Sequence, residues 1–235
     1  MNSRFIGLKR IWDNVVEHRW LKILAYTLWA GTIGGTLTCF IIFYSFSQGD
    51  LPSFEQLENP QYDLASIIYT SGTTGRSKGA MITHENLTSN TLALHKYWEW
   101  EPGDVLIHAL PIFHIHGLFV ALHCALLNAS KVLFHERFDV NKIIQDLPTA
   151  SVFMGVPTFY TRLLAVPNFN KGVCRSIRLF ISGSAPLLFE TFSEFKERTN
   201  HSILERYGMT EAGIITSNPY KSSQRIPNTV GYTLP

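Results

Sequence analysis

The stretch Tyr69-Thr70-Ser71-Gly72-Thr73-Thr74-Gly75-Arg76-Ser77-Lys78-Gly79-Ala80 decides how this chain is read. It gathers hydroxyls, glycines and one lysine directly after residues 66–69, a short run of strand character. Glycines let the backbone approach an anion and expose its N–H groups, hydroxyls add neutral donors, and a lysine adds a point charge. The combination is a polyphosphate cradle in outline. It is not a Walker A loop, because Gly79 follows Lys78 where that motif needs Ser or Thr.

Outward from this loop the pattern alternates between short β-rich runs and helix-like stretches. Strands are expected at 66–69, 105–109, 131–134, 151–156, 177–182 and 203–206, and helices at 84–97, 117–127, 140–147, 157–164 and 186–198. Thr83 is a candidate N-cap for the first helix, with Glu85 in its first turn. Strand, helix, strand at this spacing argues an α/β fold with a mostly parallel sheet, whose ligands sit at the carboxyl ends of strands.

Upstream the character changes. Residues 23–46 carry no charge, long enough to cross a hydrocarbon core of about 30 Å as one helix. Arg4, Lys9, Arg10, Arg19 and Lys22 precede the run, while Asp50, Glu55 and Glu58 follow it, so residues 1–22 are expected in the cytoplasm and the rest outside. A cleaved signal peptide fits less well, since the apolar region is long and no small-x-small site follows.

The net charge of +2 and the lack of any Lys/Arg run longer than a pair argue against a nucleic-acid partner. Cys39, Cys124 and Cys174 lie far apart without CxxC spacing, which signals neither a disulfide framework nor zinc. His108, His114, His116 and His123 lie near one another, but no acid or thiol stands at ligand spacing, so a metal cluster is not expected there.

Two resemblances follow from these residues. A basic N-terminus, one span and Gly49-Asp50-Leu51-Pro52-Ser53-Phe54-Glu55-Gln56-Leu57-Glu58-Asn59-Pro60 resemble the start of a bacterial class A penicillin-binding protein, which implies an inner-membrane anchor and none of that family's catalysis. Residues 69–80 resemble the phosphate-loop signature of the adenylate-forming enzymes, the group of acyl-CoA synthetases, luciferases and peptide-synthetase adenylation domains. Four further motifs follow in that family's order: Leu110-Pro111-Ile112-Phe113-His114-Ile115-His116-Gly117-Leu118, Gly155-Val156-Pro157-Thr158-Phe159-Tyr160, Ser182-Gly183-Ser184-Ala185-Pro186-Leu187, and Glu205-Arg206-Tyr207-Gly208-Met209-Thr210-Glu211.

The second resemblance implies an AMP-forming carboxylic acid–CoA ligase that uses ATP, Mg²⁺ and coenzyme A. Thr70, Ser71, Gly72, Thr73, Thr74, Gly75 and Lys78 would hold the β- and γ-phosphates. Glu211 would bind the Mg²⁺, Thr210 would meet the α-phosphate, and Tyr207 with Gly208 would offer a flat surface to adenine. Gly183, Ser184, Ala185 and Pro186 would form a backbone wall against the base, and His114 would gate the acyl-adenylate site. The pattern 113–119, Phe-His-x-His-Gly-Leu-Phe, is similar to malonyl-CoA synthetases in particular, as are residues 154–164, 179–188 and the run from Thr216 to Pro227. Malonate brings a second carboxylate that a cation must meet. Arg225 and His116, with Ser182, are the candidates that the resemblance offers.

The expected organisation is therefore a basic segment at 1–22, a transmembrane helix at 23–46, a linker at 47–62, and a partial adenylate-forming N-terminal domain at 63–235. The family's ribose-binding aspartate and its C-terminal catalytic-lysine domain have no counterpart in the sequence, so this chain alone is expected to lack synthetase activity. The alternative is a membrane-anchored chimeric or truncated protein with no ligase activity.

Overall fold

The computed structural model describes residues 62–70 and 77–234. They belong to the second of two compact units, Asn59–Pro235. The chain opens with a hairpin, β1 (Leu64–Thr70) and β2 (Lys78–Thr83), paired antiparallel with Thr70 opposite Lys78. The 66–69 run was expected to lead through its loop into a helix within the main sheet. Instead β2 returns along β1, and the two form a separate two-stranded ribbon. The alternation of Lys78, Ala80 and Ile82 with Gly79 and Met81 supplies the strand, and Gly79 is needed because a Cβ there would meet the Ile67 methyl at 2.6 Å.

Helix α1 (His84–Tyr97) follows without a break. Thr83 caps it as expected: its Oγ1 accepts from the Asn86 amide at 3.2 Å, and the Asn86 side chain accepts from the Thr83 amide at 3.0 Å. Then come β3 (Val105–His108), a π-helical segment (His116–Leu122) that runs directly into α2 (His123–Leu127), β4 (Lys131–Phe134), α3 (Val140–Asp146), β5 (Val152–Gly155), α4 (Pro157–Leu164), α5 (Lys171–Cys174), β6 (Leu179–Ser182), α6 (Phe189–Thr199), β7 (Leu204–Met209), β8 (Gly213–Ser217) and β9 (Tyr232–Thr233). The main sheet runs β4-β3-β5-β6-β7-β8-β9, parallel through β7 and antiparallel beyond it. The expected α/β class and mostly parallel sheet are thus present, with β2, β8 and β9 added.

Strand alternation sorts the core into two layers. Ile107, Phe153 and Phe180 face one side, where Ile143, Tyr160, Leu163 and Phe195 of α3, α4 and α6 cover them. Leu106, Met154, Ile181 and Leu204 face the other, under Leu94 and Trp98 of the first helix region and Val120 and Cys124 of the π-helix and α2. Burial raises the thiols of both Cys124 and Cys174, which act as small apolar groups.

At the amino ends of the strands a polar staple fixes the register. Asp104 accepts from Ser151 Oγ at 2.7 Å and from Arg178 Nε at 2.8 Å, and pairs with a second guanidinium nitrogen of Arg178. These residues immediately precede β3, β5 and β6. Among the described residues no helix is long and apolar enough to cross a membrane. The span expected at 23–46 lies outside the described residues. Asp104→Ala leaves a half-buried guanidinium without its partner and should cost about 3 kcal/mol in urea unfolding. A loss below about 1 kcal/mol, the range of an exposed pair, would contradict the staple.

Candidate functional site

The carboxyl ends of β3, β5, β6 and β7 carry the motifs singled out in the sequence. The chain leaves β3 for β4 on one side and leaves β5 for β6 on the other, so a crevice opens at this switch in direction. The loop after β3 holds Phe113 and His114, both exposed, with rings 4.5 Å apart. His116 then opens the π-helical segment and turns inward, buried. A π-helical turn is a costly local choice that recurs at functional positions. Gly117 permits it here, because a Cβ would lie 2.3 Å from the Pro111 carbonyl oxygen.

The loop after β6 is held from three sides. The Leu187 amide donates to the buried Glu205 carboxylate at 2.9 Å, the Gly183 amide to the Gly155 carbonyl at 3.3 Å, and Ser184 Oγ lies 3.2 Å from His116 Nδ1. Ser184 has φ +69°, a left-handed backbone that a non-glycine residue keeps only where its surroundings impose it. Ala185 and Pro186 are exposed on the same loop.

Behind this loop lies a residue the sequence reading passed over. Arg206 of β7 is 3% exposed, and its guanidinium packs so closely on Gly183 that a Cβ there would stand 2.4 Å from its central carbon. Arg206 Nε and one Nη, His116 Nε2, Ser182 Oγ and both ring nitrogens of His108 are buried without a hydrogen-bond partner among the described residues. No carboxylate there pairs with Arg206. Burial pulls Arg206 down to about 10, still charged at neutral pH. Burial first, then the charge of Arg206, then His108, hold His116 well below the usual histidine range, so it is neutral. Burial pushes His108 down to about 4.

Arg225 is employed differently. Its guanidinium donates to the carbonyls of Pro219 (3.0 Å), Ser202 and Tyr220, locking the loop that follows β8. Those three bonds engage Arg225 in this structure, whereas Arg206, which was not among the candidates, has guanidinium nitrogens without a partner among the described residues.

The Tyr207–Glu211 motif ends β7 and begins the turn into β8. Tyr207 and Glu211 are exposed, and Gly208 admits no Cβ, which would fall 2.3 Å from the Gly213 carbonyl oxygen. Thr210 and Glu211 line an open cleft together with Ile82 of β2, Asn90 of α1 and Phe119 of the π-helix. Ile82 stands on the strand that Lys78 opens, so β2 reaches this cleft through Ile82. Thr70 and Lys78 frame the loop itself, while Ser71, Gly72, Thr73, Thr74 and Gly75 lie outside the described residues. Among the described residues no three His, Cys, Asp or Glu side chains cluster as a metal cage. One exposed carboxylate beside a threonine hydroxyl is a donor set for a hard cation shared with phosphate and water.

A parallel sheet with a hydroxyl-rich hairpin loop, a backbone wall after β6 and a lone acid after β7 defines a class, and comparison with known proteins agrees. The chain belongs to the AMP-binding enzyme family, whose model matches residues 36–235. It is 39% identical over 187 residues to the mitochondrial malonate–CoA ligase of Homo sapiens, covering 73% of this chain and 32% of that protein. Among solved structures it is similar to an ATP-bound MatB from Rhodopseudomonas palustris, at 55% identity and a TM-score of 0.72, covering 74% of this chain and 35% of that one. It is also similar to a malonyl-CoA ligase ternary product complex with methylmalonyl-CoA and AMP, at 37% identity and a TM-score of 0.69, covering 74% and 39%. The chain spans about a third of the length of the curated relatives it matches.

The buried neutral histidines make the site acid-sensitive. With a folded pKa near 4 against about 6.5 when unfolded, the contribution of His108 is complete above pH 6.5 and is lost as pH falls toward 4; His116, His123 and His201 act in the same sense. Glu205, raised by burial, opposes them. The melting temperature should therefore fall between pH 6.5 and 4, with a shallower slope in His108→Leu. An unchanged slope would show that His108 takes up its proton as readily in the fold as in the unfolded chain.

Proposed function

We propose that this chain binds ATP and malonate for the first step of AMP-forming acid–CoA ligation. In that step one malonate carboxylate oxygen attacks the α-phosphorus of ATP, the bond to the bridging oxygen breaks, and pyrophosphate leaves. In the second step of the same chemistry the CoA thiol attacks the acyl carbon, AMP departs, and the thiol proton passes to solvent. Mg²⁺, held by Glu211, would neutralise phosphate charge. The chain's own part is to place the two oxygens in line, with Lys78 and the hairpin loop on the β- and γ-phosphates, Thr210 near the α-phosphate and Tyr207 with the 183–186 wall around adenine.

One observation carries the choice of acid. A buried, charged Arg206 with free N–H groups stands with neutral His116 and Ser182 at the strand ends. Such a cation is costly unless an anion meets it. The second carboxylate of malonate supplies that anion, accepting from Arg206 and, with the Ser184 hydroxyl donating to Nδ1, from His116 Nε2–H. The likeness to malonate–CoA ligases supports the same acid.

Calorimetry on the purified chain with a non-hydrolysable ATP analogue tests this. Arg206→Leu should weaken malonate about a hundredfold and leave the nucleotide within twofold. Arg225→Ala should lower the melting temperature without altering the preference for malonate over propionate. Equal malonate affinity in wild type and Arg206→Leu would defeat the reading. The rival, an anchored protein with an inert extension, requires no Mg-ATP affinity at all; affinity that Glu211→Ala abolishes decides against it.

The uncharged run at 23–46 between basic and acidic flanks supports a further proposal, a single span with residues 1–22 on the cytoplasmic side. The full chain should then stay with membranes through alkaline carbonate washing. Release into the supernatant would remove the span.

A further inference from the structure

The turn that carries Thr210 and Glu211 is closed by strand pairing on one side only, Met209 with Gly213 and Gly208 with Ile214. Strand β9 pairs only with Thr216 and Ser217, so the outer edge of β8 at Ile214 is left without a strand neighbour. An α1 side chain fills the gap. Asn90 Nδ2 donates to the Ile214 carbonyl at 2.9 Å, and the Ile214 amide donates to Asn90 Oδ1 at 3.1 Å. This is the reciprocal two-bond exchange that a paired strand residue would make, supplied by one side-chain amide.

The neighbouring residue is shaped around it. Gly213 sits at φ +67°, and a Cβ there would come within 2.8 Å of Asn90 Oδ1. Glycine at 213 therefore leaves the room that the Asn90 amide occupies. Asn90 also lines the cleft with Thr210 and Glu211. Its helix begins immediately after β2, the strand that Lys78 opens, and is anchored again at its far end, where Trp98 Nε1 donates to Ser217 Oγ at 3.0 Å. The helix is a strut between the hairpin and the Glu211 turn, and Asn90 is its pin.

We propose that Asn90 is a positioning residue: its paired hydrogen bonds to Ile214 fix where the Glu211 carboxylate stands relative to the phosphate hairpin, and so set the affinity of the site for Mg²⁺ with nucleotide. The inference rests on the reading of Glu211 as the metal-binding acid. Supports of this kind, one bond removed from a ligand, are worth ten- to a hundredfold in metal affinity.

The test is nucleotide binding to the full chain, titrated by calorimetry across Mg²⁺ concentrations and again in EDTA. Asn90→Ala should raise the half-saturating Mg²⁺ about tenfold while ATP affinity in EDTA changes less than twofold. Asn90→Asp keeps the acceptor for the Ile214 amide and loses the donor, so it should fall between wild type and Ala; it also serves if the Ala variant does not fold. A purely structural role would move the melting temperature and both affinities together, and that result overturns the proposal. Glu211→Gln separates the two claims. If it removes the Mg²⁺ dependence and Asn90→Ala does not alter it, only the role of Asn90 fails; if Glu211→Gln leaves the dependence intact, the metal reading and this inference fail together.

Discussion

A guanidinium buried without a carboxylate partner among the described residues is the constraint around which this site is organised. Arg206 enters the sheet on β7, where water cannot solvate it, and the desolvation of such a charge costs several kcal/mol. The fold makes room for it at Gly183, where a Cβ would meet the guanidinium, and the buried polar atoms of His116 and Ser182 are neutral and unbonded, so that cost is not offset by an ion pair among the described residues. A carboxylate built into the protein would satisfy Arg206 and close the site. Among the described residues none pairs with it, and the buried His116 Nε2 and Ser182 Oγ are likewise without partners.

The rest of the architecture serves that placement from a distance. The Asp104–Ser151–Arg178 staple fixes the amino ends of β3, β5 and β6, so their carboxyl ends arrive in register. Glu205, next to Arg206 but on the opposite face of β7, takes the Leu187 amide and holds the backbone wall. The π-helical segment lets His116 turn into the sheet while Phe119 lines the Glu211 cleft. Local strain at Ser184, and the close approach at Gly117, are therefore concentrated where the two halves of the site meet.

Much of this was legible in the sequence. Strands β3 to β6 announced themselves as short apolar runs, and the cap at Thr83 followed from its hydroxyl before a helical period. Strand β2 was hidden because it continues a glycine-rich loop, and β8 because a glycine and polar residues flank a brief apolar core. The motif residues could be placed because their order and spacing are long. Arg225 and Arg206 could not be ranked, since one-dimensional pattern does not say which arginine finds backbone carbonyls. One signal did exist: two adjacent charges, Glu205 and Arg206, inside a run expected to be a buried parallel strand, where charge is rare. Asn90 gave no signal at all, because a polar residue on a helix reads as solvent-facing until its strand partner 124 positions away is known.

The most direct test of the account is a crystal structure of this chain with malonate and a non-hydrolysable ATP analogue. The distal carboxylate should lie within hydrogen-bonding distance of the Arg206 guanidinium and His116 Nε2, with the other carboxylate directed toward the Thr210 side of the cleft. Malonate bound elsewhere, with Arg206 still unpartnered beneath Gly183, would contradict it.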